Sequence, residues 1–318
     1  MESRQLGRTG LQISVVGFGA WAIGGTRNST GNLGPVDDSE AIAAIHRALE
    51  LGVNWIDTAP GYGAGHSEEI VGRALDGLTE RPLVFTKCGF VWGSDLAMQN
   101  RIDAASIRTE VDSSLRRLRV ERIDLYQIHW VEPENDPQIE DAWRCLVELK
   151  QEGKVAHIGV SNFDVSQLNR IRPSGAVETL QPPYSLLERG IESEILPYCA
   201  QHQIGVIVYS PMQTGLLSGA MSRERVESLP ADDARRSDPN FLEPRLSQNL
   251  TRVERLNGLA DDWGRTAAGL AVAWTLRDPR VNGAIVGFRR PAQVDAVLGT
   301  ALPDLGATEL EAVEAIEW

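Results

Sequence analysis

The sequence predicts an α/β chain closed as a (β/α)8 barrel, a TIM barrel with an N-terminal β-hairpin and long loops on the face at the strand C-termini. Three observations carry that prediction. Eight short β-branched runs recur, each followed by a segment of helical period, and such alternation argues for parallel strands joined by helical crossovers. Eight units fit a closed barrel, whereas an open doubly wound sheet more often has about five or six strands. The 318 residues exceed a bare barrel of roughly 250 by an amount that loop insertions absorb, so residues 1–318 read as a single domain.

The elements follow in order. Arg4 to Ile13, around Gly7 and Gly10, reads as a small hairpin that plugs the bottom of the barrel. The strands are expected at Ser14 to Gly17, Val53 to Asp57, Leu83 to Lys87, Ile123 to His129, Val155 to Val160, Val177 to Leu180, Gly205 to Tyr209 and Gly283 to Val286. Between them Ile42, Ile45 and Leu49 keep helical spacing, as do Ile107, Val111, Leu115 and Leu118, and Ile139, Trp143, Leu146 and Val147. Gly52 and Gly153 stop two of these helices. Ala307 to Ile316 forms a last helix. The strand-to-helix connections Ala20 to Val36, Gly89 to Arg101 and Pro211 to about Ser247 are long, and in such barrels these loops build the site.

Composition excludes several partners. With 42% hydrophobic and 24% charged residues the chain is that of a globular protein. A net charge of −13 repels phosphate backbones and anionic membranes, so nucleic acid is not expected. No apolar run reaches a membrane span or a signal peptide. Cys88, Cys145 and Cys199 lack the spacing of a disulfide framework or a zinc site, which points to a reducing, cytoplasmic setting.

Asp57, Lys87 and His129 end the second, third and fourth predicted strands, and Tyr62 lies in the glycine-rich loop after Asp57, so all four meet at one rim. One reading is a structural Asp57–Lys87 ion pair capping the barrel. The other assigns chemistry. An ammonium beside a phenol favours the phenolate, so Lys87 is expected to bring Tyr62 into a range useful for proton transfer, with Asp57 orienting Lys87 and His129 polarising a carbonyl oxygen. Such a set has no electrons of its own. Gly17 to Ala22 formally satisfies a dinucleotide fingerprint, but the glycine-rich segment after it opens no helix, so a Rossmann turn is rejected. Gly287, Phe288, Arg289 and Arg290, ahead of a helix near Pro291, suit a phosphate instead.

These residues resemble the aldo-keto reductase family along the whole chain. Asp57, Thr58, Ala59, Tyr62 and Gly65 to Glu69 are similar to its most distinctive signature, Thr86 with Lys87 and Gln127 to Trp130 to its lysine and histidine segments, and Gly159 to Phe163 to its nicotinamide-amide segment. The resemblance implies Tyr62 as general acid, Lys87 and Asp57 as tuners of its pKa, and His129 as orienter of the carbonyl. It implies that Ser161, Asn162 and Gln181 hold the carboxamide and that Tyr209 stacks on the nicotinamide. Ser210, Pro211, Met212, Gly215 and Leu216 would follow the pyrophosphate, and Gly287, Phe288, Arg289 and Gln293 would meet the adenosine end, with Trp21 and Asp57 also near the cofactor. Arg289 implies NADPH over NADH. Gln181 to Leu186 look most like a bacterial branch of general-stress and inositol-related reductases. Many relatives carry a lysine where Ala220 stands, and often a Glu and an Asn where Ala296 and Val297 stand; Arg235, Arg236 and Arg245 are candidates for the missing cation.

The substrate wall is expected from Trp21, Trp92 and Trp130, beside Tyr62 and His129. No metal site is expected: Ser67 reads as a helix N-cap, with Glu68 and Glu69 complementing the dipole beside His66. Cys88 is expected to pack. The reading is an NADPH-dependent reductase of aldehydes and ketones, acting on a small carbonyl or sugar. The alternatives are a sugar or polyol dehydrogenase running oxidatively, a non-catalytic NADPH-binding subunit, and a class I aldolase using Lys87. Oligomeric state is not legible.

Overall fold

In the computed structural model, which describes residues 1–27, 32–299 and 305–318, the chain opens with an antiparallel hairpin of β1 (Ser3–Gln5) and β2 (Gln12–Ser14). The barrel strands are β3 (Val16–Gly19), β4 (Trp55–Asp57) and β5 (Leu83–Cys88) and, beyond an inserted hairpin of β6 (Phe90–Trp92) and β7 (Met98–Asn100), β8 (Ile123–Ile128), β9 (Val155–Ser161), β10 (Thr179–Gln181), β11 (Gly205–Val208) and β12 (Gly283–Gly287). All eight pair in parallel, and β12 returns to β3 to close the ring. The (β/α)8 barrel expected from the sequence is thus the observed fold.

Eleven helices are described: α1 (Asp38–Glu50), α2 (His66–Leu75), α3 (Ala104–Leu118), α4 (Ile139–Gln151), α5 (Val165–Ile171), α6 (Ile195–Gln201), α7 (Arg223–Glu227), α8 (Arg245–Asp262), α9 (Ala267–Leu276), α10 (Pro291–Leu298) and α11 (Ala307–Glu314). Local chemistry starts them where the sequence changes period. The Asp37 carboxylate caps α1 through the N–H groups of Ser39 and Glu40, Asp103 caps α3, and Asp164 forms a capping box with Gln167 at α5.

Two apolar layers follow from strands buried on both faces. Inward-facing Trp55, Phe85, Leu125, Ile207 and Ile285 fill the barrel, and Leu6 and Ile13 of the hairpin close its bottom, as the hairpin's position predicts. The outward faces and the helices share a second layer around Trp143, Tyr126 and Trp274. The packed bottom leaves the C-terminal rim as the one end of this barrel open to a ligand.

Boundaries differ in instructive places. The first barrel strand begins at Val16 rather than Ser14, because the Ser14 hydroxyl accepts the Asn54 N–H at 3.1 Å and its N–H donates to the Asn54 side chain at 2.8 Å, fixing it to the hairpin side. The sixth strand lies at Thr179–Gln181, so Gln181 sits on a strand end rather than past one. Ser67 is not an N-cap: Gly65 holds that position, and the buried Ser67 hydroxyl donates to Ala20 O. Residues 28–31, part of the long first loop with Gly31, lie outside the described residues. No helix among the described residues is long and apolar enough to cross a membrane.

Candidate active site

At the strand C-termini opens a cleft of about 1250 Å³. Its deepest polar group is an ion pair. Lys87, completely buried on β5, donates to Asp57 Oδ1 at 2.5 Å, to Thr58 O at 3.0 Å and to Tyr62 Oη at 3.1 Å. An ammonium has three N–H donors, and all three are used. Asp57 in turn accepts from Gln181 Nε2 at 2.8 Å on its other oxygen. The loop after β4 carries Tyr62 back under the first loop because Gly63, at φ +64°, lies so close to Gly24 O that any side chain there would collide with it.

Electrostatics sort Lys87, Tyr62 and His129. Burial weakens the Lys87 ammonium, yet the Asp57 charge and the Tyr62 contact more than offset it, so its pKa is raised and it stays charged. Burial also holds the Tyr62 hydroxyl above its ordinary range, and the opposing pull of Lys87 does not overcome it. That corrects the expectation that Lys87 turns Tyr62 toward its phenolate: the group is a neutral phenol. Burial, reinforced by Lys87, pushes His129 well below the usual histidine range, so it is a neutral imidazole. Its ring meets Tyr62 edge-on at 5.6 Å and Phe90 at 5.2 Å.

A second hydrogen-bonded chain runs beside the first. The Ser161 hydroxyl donates to Gln181 O at 2.8 Å, Asn162 Nδ2 donates to Ser161 Oγ and to His129 O at 3.0 Å each, and the Tyr209 hydroxyl donates to Asn162 Oδ1 at 2.8 Å. Asn162 and Ser210 both have positive φ, 62° and 56°, so the backbone bends sharply at two of the positions at which a cofactor is expected.

Beyond these the cleft is lined by Pro211, Met212, Gly215, Gly287, Arg289 and Gln293, so most of the expected positions face it. Phe288 packs on Phe18, ring centroids 5.7 Å apart. Leu216 does not face the cleft: its side chain is buried with Met221, Phe241 and Leu246, because the tight turn at Thr214 and Gly215 directs it into the apolar underside of the seventh loop. Arg289 donates to Leu33 O at 3.0 Å and also to Pro35 O, while Asn32 bridges to Asp233, so three loops meet over this end.

Of the candidates for the missing cation, Arg235 lines the cleft but is paired with Asp233 at 2.7 Å. Arg236 turns to the carbonyls of Glu227 and Leu229, and Arg245 is exposed outside the lining. Arg225, which sequence reasoning passed over, lines the cleft beside Ala220 and donates to Ala220 O at 3.0 Å, with no carboxylate partner among the described residues.

The aromatic wall is partly as expected. Trp21 and Trp130 line it, Trp130 being 45% exposed. Trp92 does not: the Arg117 guanidinium lies 5.6 Å over its ring, and Phe90 and Met98 from the β6–β7 hairpin take its place. The turn residues Gly93, Ser94 and Asp95 between two short apolar runs were the signal for that hairpin.

A dinucleotide fits this cleft. Its lining carries aromatic and apolar side chains together with Arg225 and Arg290, neither of which has a carboxylate partner among the described residues, and the buried Thr214 hydroxyl in it has no hydrogen-bond partner among them.

Comparison with known proteins agrees. The Aldo/keto reductase family profile matches residues 15–317. The chain is 38% identical to aldo-keto reductase YhdN of Bacillus subtilis (strain 168), over 93% of this chain and 88% of that one. It is 37% identical to the NADH-specific methylglyoxal reductase of Escherichia coli (strain K12), over the whole of both chains. Among solved structures, the glycerol dehydrogenase AKR11B4 from Gluconobacter oxydans superposes with a TM-score of 0.85 at 40% identity, covering 96% of this chain and 92% of that one. A barrel closed in this order, with a buried lysine and aspartate beside a tyrosine and a histidine at its rim and these relatives along its length, makes the chain a member of the aldo/keto reductase family.

Proposed function

We propose that the protein is a one-domain cytoplasmic oxidoreductase that reduces small aldehydes and ketones to alcohols with NADPH, Tyr62 giving the proton. The observation that carries this reading is the saturation of Lys87. Because Lys87 donates to the Tyr62 oxygen, the tyrosine's own hydrogen is left to donate elsewhere, and the cleft is where Tyr62 is exposed. The bound nicotinamide supplies the hydride. The residues supply the rest: Tyr62, kept neutral by burial, protonates the carbonyl oxygen, and the ammonium behind it stabilises the phenolate left after transfer. Neutral His129 orients the oxygen without competing for its proton.

Ser161, Asn162 and Gln181 hold the carboxamide, and Tyr209 packs on the nicotinamide ring. Arg225 meets the diphosphate in place of the absent lysine at Ala220, and Arg289 with Arg290 read a 2′-phosphate. A second reading, NADH, is favoured by Arg289 being spent on two carbonyls and by Asp37 and Glu40 in the same lining; the Escherichia coli relative is named for NADH. An aldolase is disfavoured, since a fully bonded, buried ammonium has no lone pair with which to attack a carbonyl.

Titration of the purified protein with NADPH and NADH, followed by tryptophan fluorescence, tests the cofactor. Saturable binding favouring NADPH is expected; tighter NADH binding selects the second reading, and binding of neither removes the oxidoreductase. A carbonyl panel then tests turnover.

A further inference from the structure

Glu110 is a buried carboxyl on the barrel-facing side of α3, outside the cleft, with no cation partner among the described residues. Burying a carboxyl without a counter-ion is costly unless its oxygens are bonded. Here one oxygen accepts the Gly89 N–H at 2.9 Å and the other accepts the Ser106 hydroxyl at 3.1 Å. Gly89 is the residue at which the chain leaves β5 for the β6–β7 hairpin. It follows Lys87 by two positions, and its φ of +100° is one that a side chain rarely tolerates.

Three hydrogen bonds converge on the carbonyls of Cys88 and Gly89, and a fourth ties one of their donors to Trp130. Gly89 O accepts the Arg101 N–H at 3.0 Å and Asn100 Nδ2 at 2.8 Å, and the same Asn100 amide donates to Trp130 O at 3.0 Å. The preceding carbonyl, Cys88 O, accepts the His129 N–H at 2.9 Å. Phe90, the next residue, lies edge-on to the His129 ring at 5.2 Å. Fixing Gly89 therefore fixes the direction of Phe90, the seat of the hairpin carrying Met98, and the height of Trp130, which together form the side of the cleft facing Tyr62 and His129.

We infer that Glu110 is a positioning residue for the carbonyl pocket: from behind the barrel wall it anchors the Gly89 peptide and so sets the substrate-facing wall of Phe90, Met98 and Trp130. The inference rests on the proposed carbonyl reduction and deepens it. Its class of effect is distinct from that of the proton donor, because Glu110 touches neither substrate nor cofactor. Loss of the anchor lets the wall shift, which weakens carbonyl binding while leaving Lys87, held by three bonds of its own, in place. An amide at position 110 keeps an acceptor for Gly89 and should replace the carboxyl.

The test compares Glu110→Ala, Glu110→Gln and Asn100→Ala with the wild type, measuring kcat and KM for an apolar aldehyde, the fluorescence Kd for NADPH or NADH, and the melting temperature. Asn100→Ala cuts the same joint from the solvent side and serves if Glu110→Ala does not fold. The expected result is a KM for the aldehyde raised at least fivefold in Glu110→Ala and Asn100→Ala, kcat lowered less than KM rises, cofactor Kd within twofold, and Glu110→Gln close to wild type. An unchanged KM in Asn100→Ala, or a parallel fall of kcat, aldehyde binding and cofactor binding in the folded variants, overturns the positioning role while leaving carbonyl reduction intact. A wild type that turns over no carbonyl while binding the cofactor overturns both.

Discussion

The Tyr62 hydroxyl accepts a hydrogen bond from Lys87 at 3.1 Å and yet holds its own proton more tightly than a tyrosine in water does. The two facts are compatible because burial acts on the charged product of ionisation, and here it outweighs one neighbouring ammonium. A donor that is neutral at rest and stabilised once it has given its proton is what carbonyl reduction needs. Tyr62→Phe is therefore expected to lose about 10²- to 10⁴-fold in kcat, with the cofactor Kd unchanged. Near-wild-type turnover in that variant removes Tyr62 as the acid.

Breaking the ion pair should cost more in stability than dismantling it. Lys87→Met leaves a buried, unpaired Asp57, a loss of about 3–5 kcal/mol for a pair of this kind, whereas Asp57→Asn with Lys87→Met leaves no buried charge. Thermal melts should show the double variant recovering much of the single variant's loss while both remain inactive. Additive losses would mean that the two groups do not depend on each other.

The cofactor's two ends can be separated. In the proposed cofactor pose Arg225 meets the diphosphate that both dinucleotides share, so Arg225→Ala should weaken NADPH and NADH alike, by about tenfold, or 1.4 kcal/mol. Arg290 lies at the end where a 2′-phosphate would sit, so Arg290→Ser should weaken NADPH by a similar factor and leave NADH within twofold. Equal effects of Arg290→Ser on both would place it on the diphosphate and remove the basis for an NADPH preference.

Much of this site was legible in the sequence, for a physical reason. Polar side chains at the ends of otherwise apolar strands announce themselves, and Asp57, Lys87, His129, Ser161 and Gln181 all stand at or beside such ends. What was not legible depends on loops folding back on one another. Trp92 looks like a pocket residue because tryptophan after a strand end often is one; it pairs with Met98 across the hairpin, yet it lies under the Arg117 guanidinium while Phe90 and Met98 line the cleft, and that contact depends on where the hairpin folds back. Arg225 escaped notice because its approach to Ala220 depends on the turn of the seventh loop rather than on spacing. The direction in which Tyr62 is shifted is not legible because sequence shows the neighbouring charge and not the depth of burial.

Glu110 gives a pH dependence of stability whose sign is fixed. Burial raises its pKa from 4.5 to about 8, while the Gly89 N–H and the Ser106 hydroxyl pull it down and the Glu68 charge adds to the rise. The groups around it are Glu68, paired with Arg117, and the Cys88 thiol and Tyr126 hydroxyl, both of which burial pushes well above their usual ranges. These groups are common to the wild type and to Glu110→Gln, so the difference between the two proteins reports Glu110. A carboxyl with a raised folded-state pKa binds its proton more tightly when folded, so its stabilising contribution is complete below about pH 4.5 and is lost as the pH rises through about 8. On the order of 4 kcal/mol is at stake. Urea unfolding at pH 5, 6.5 and 8 should show the wild type losing more stability across that range than Glu110→Gln, whose amide does not titrate. Parallel curves for the two proteins would place the Glu110 pKa back among ordinary carboxylates and show that water reaches the Gly89 joint.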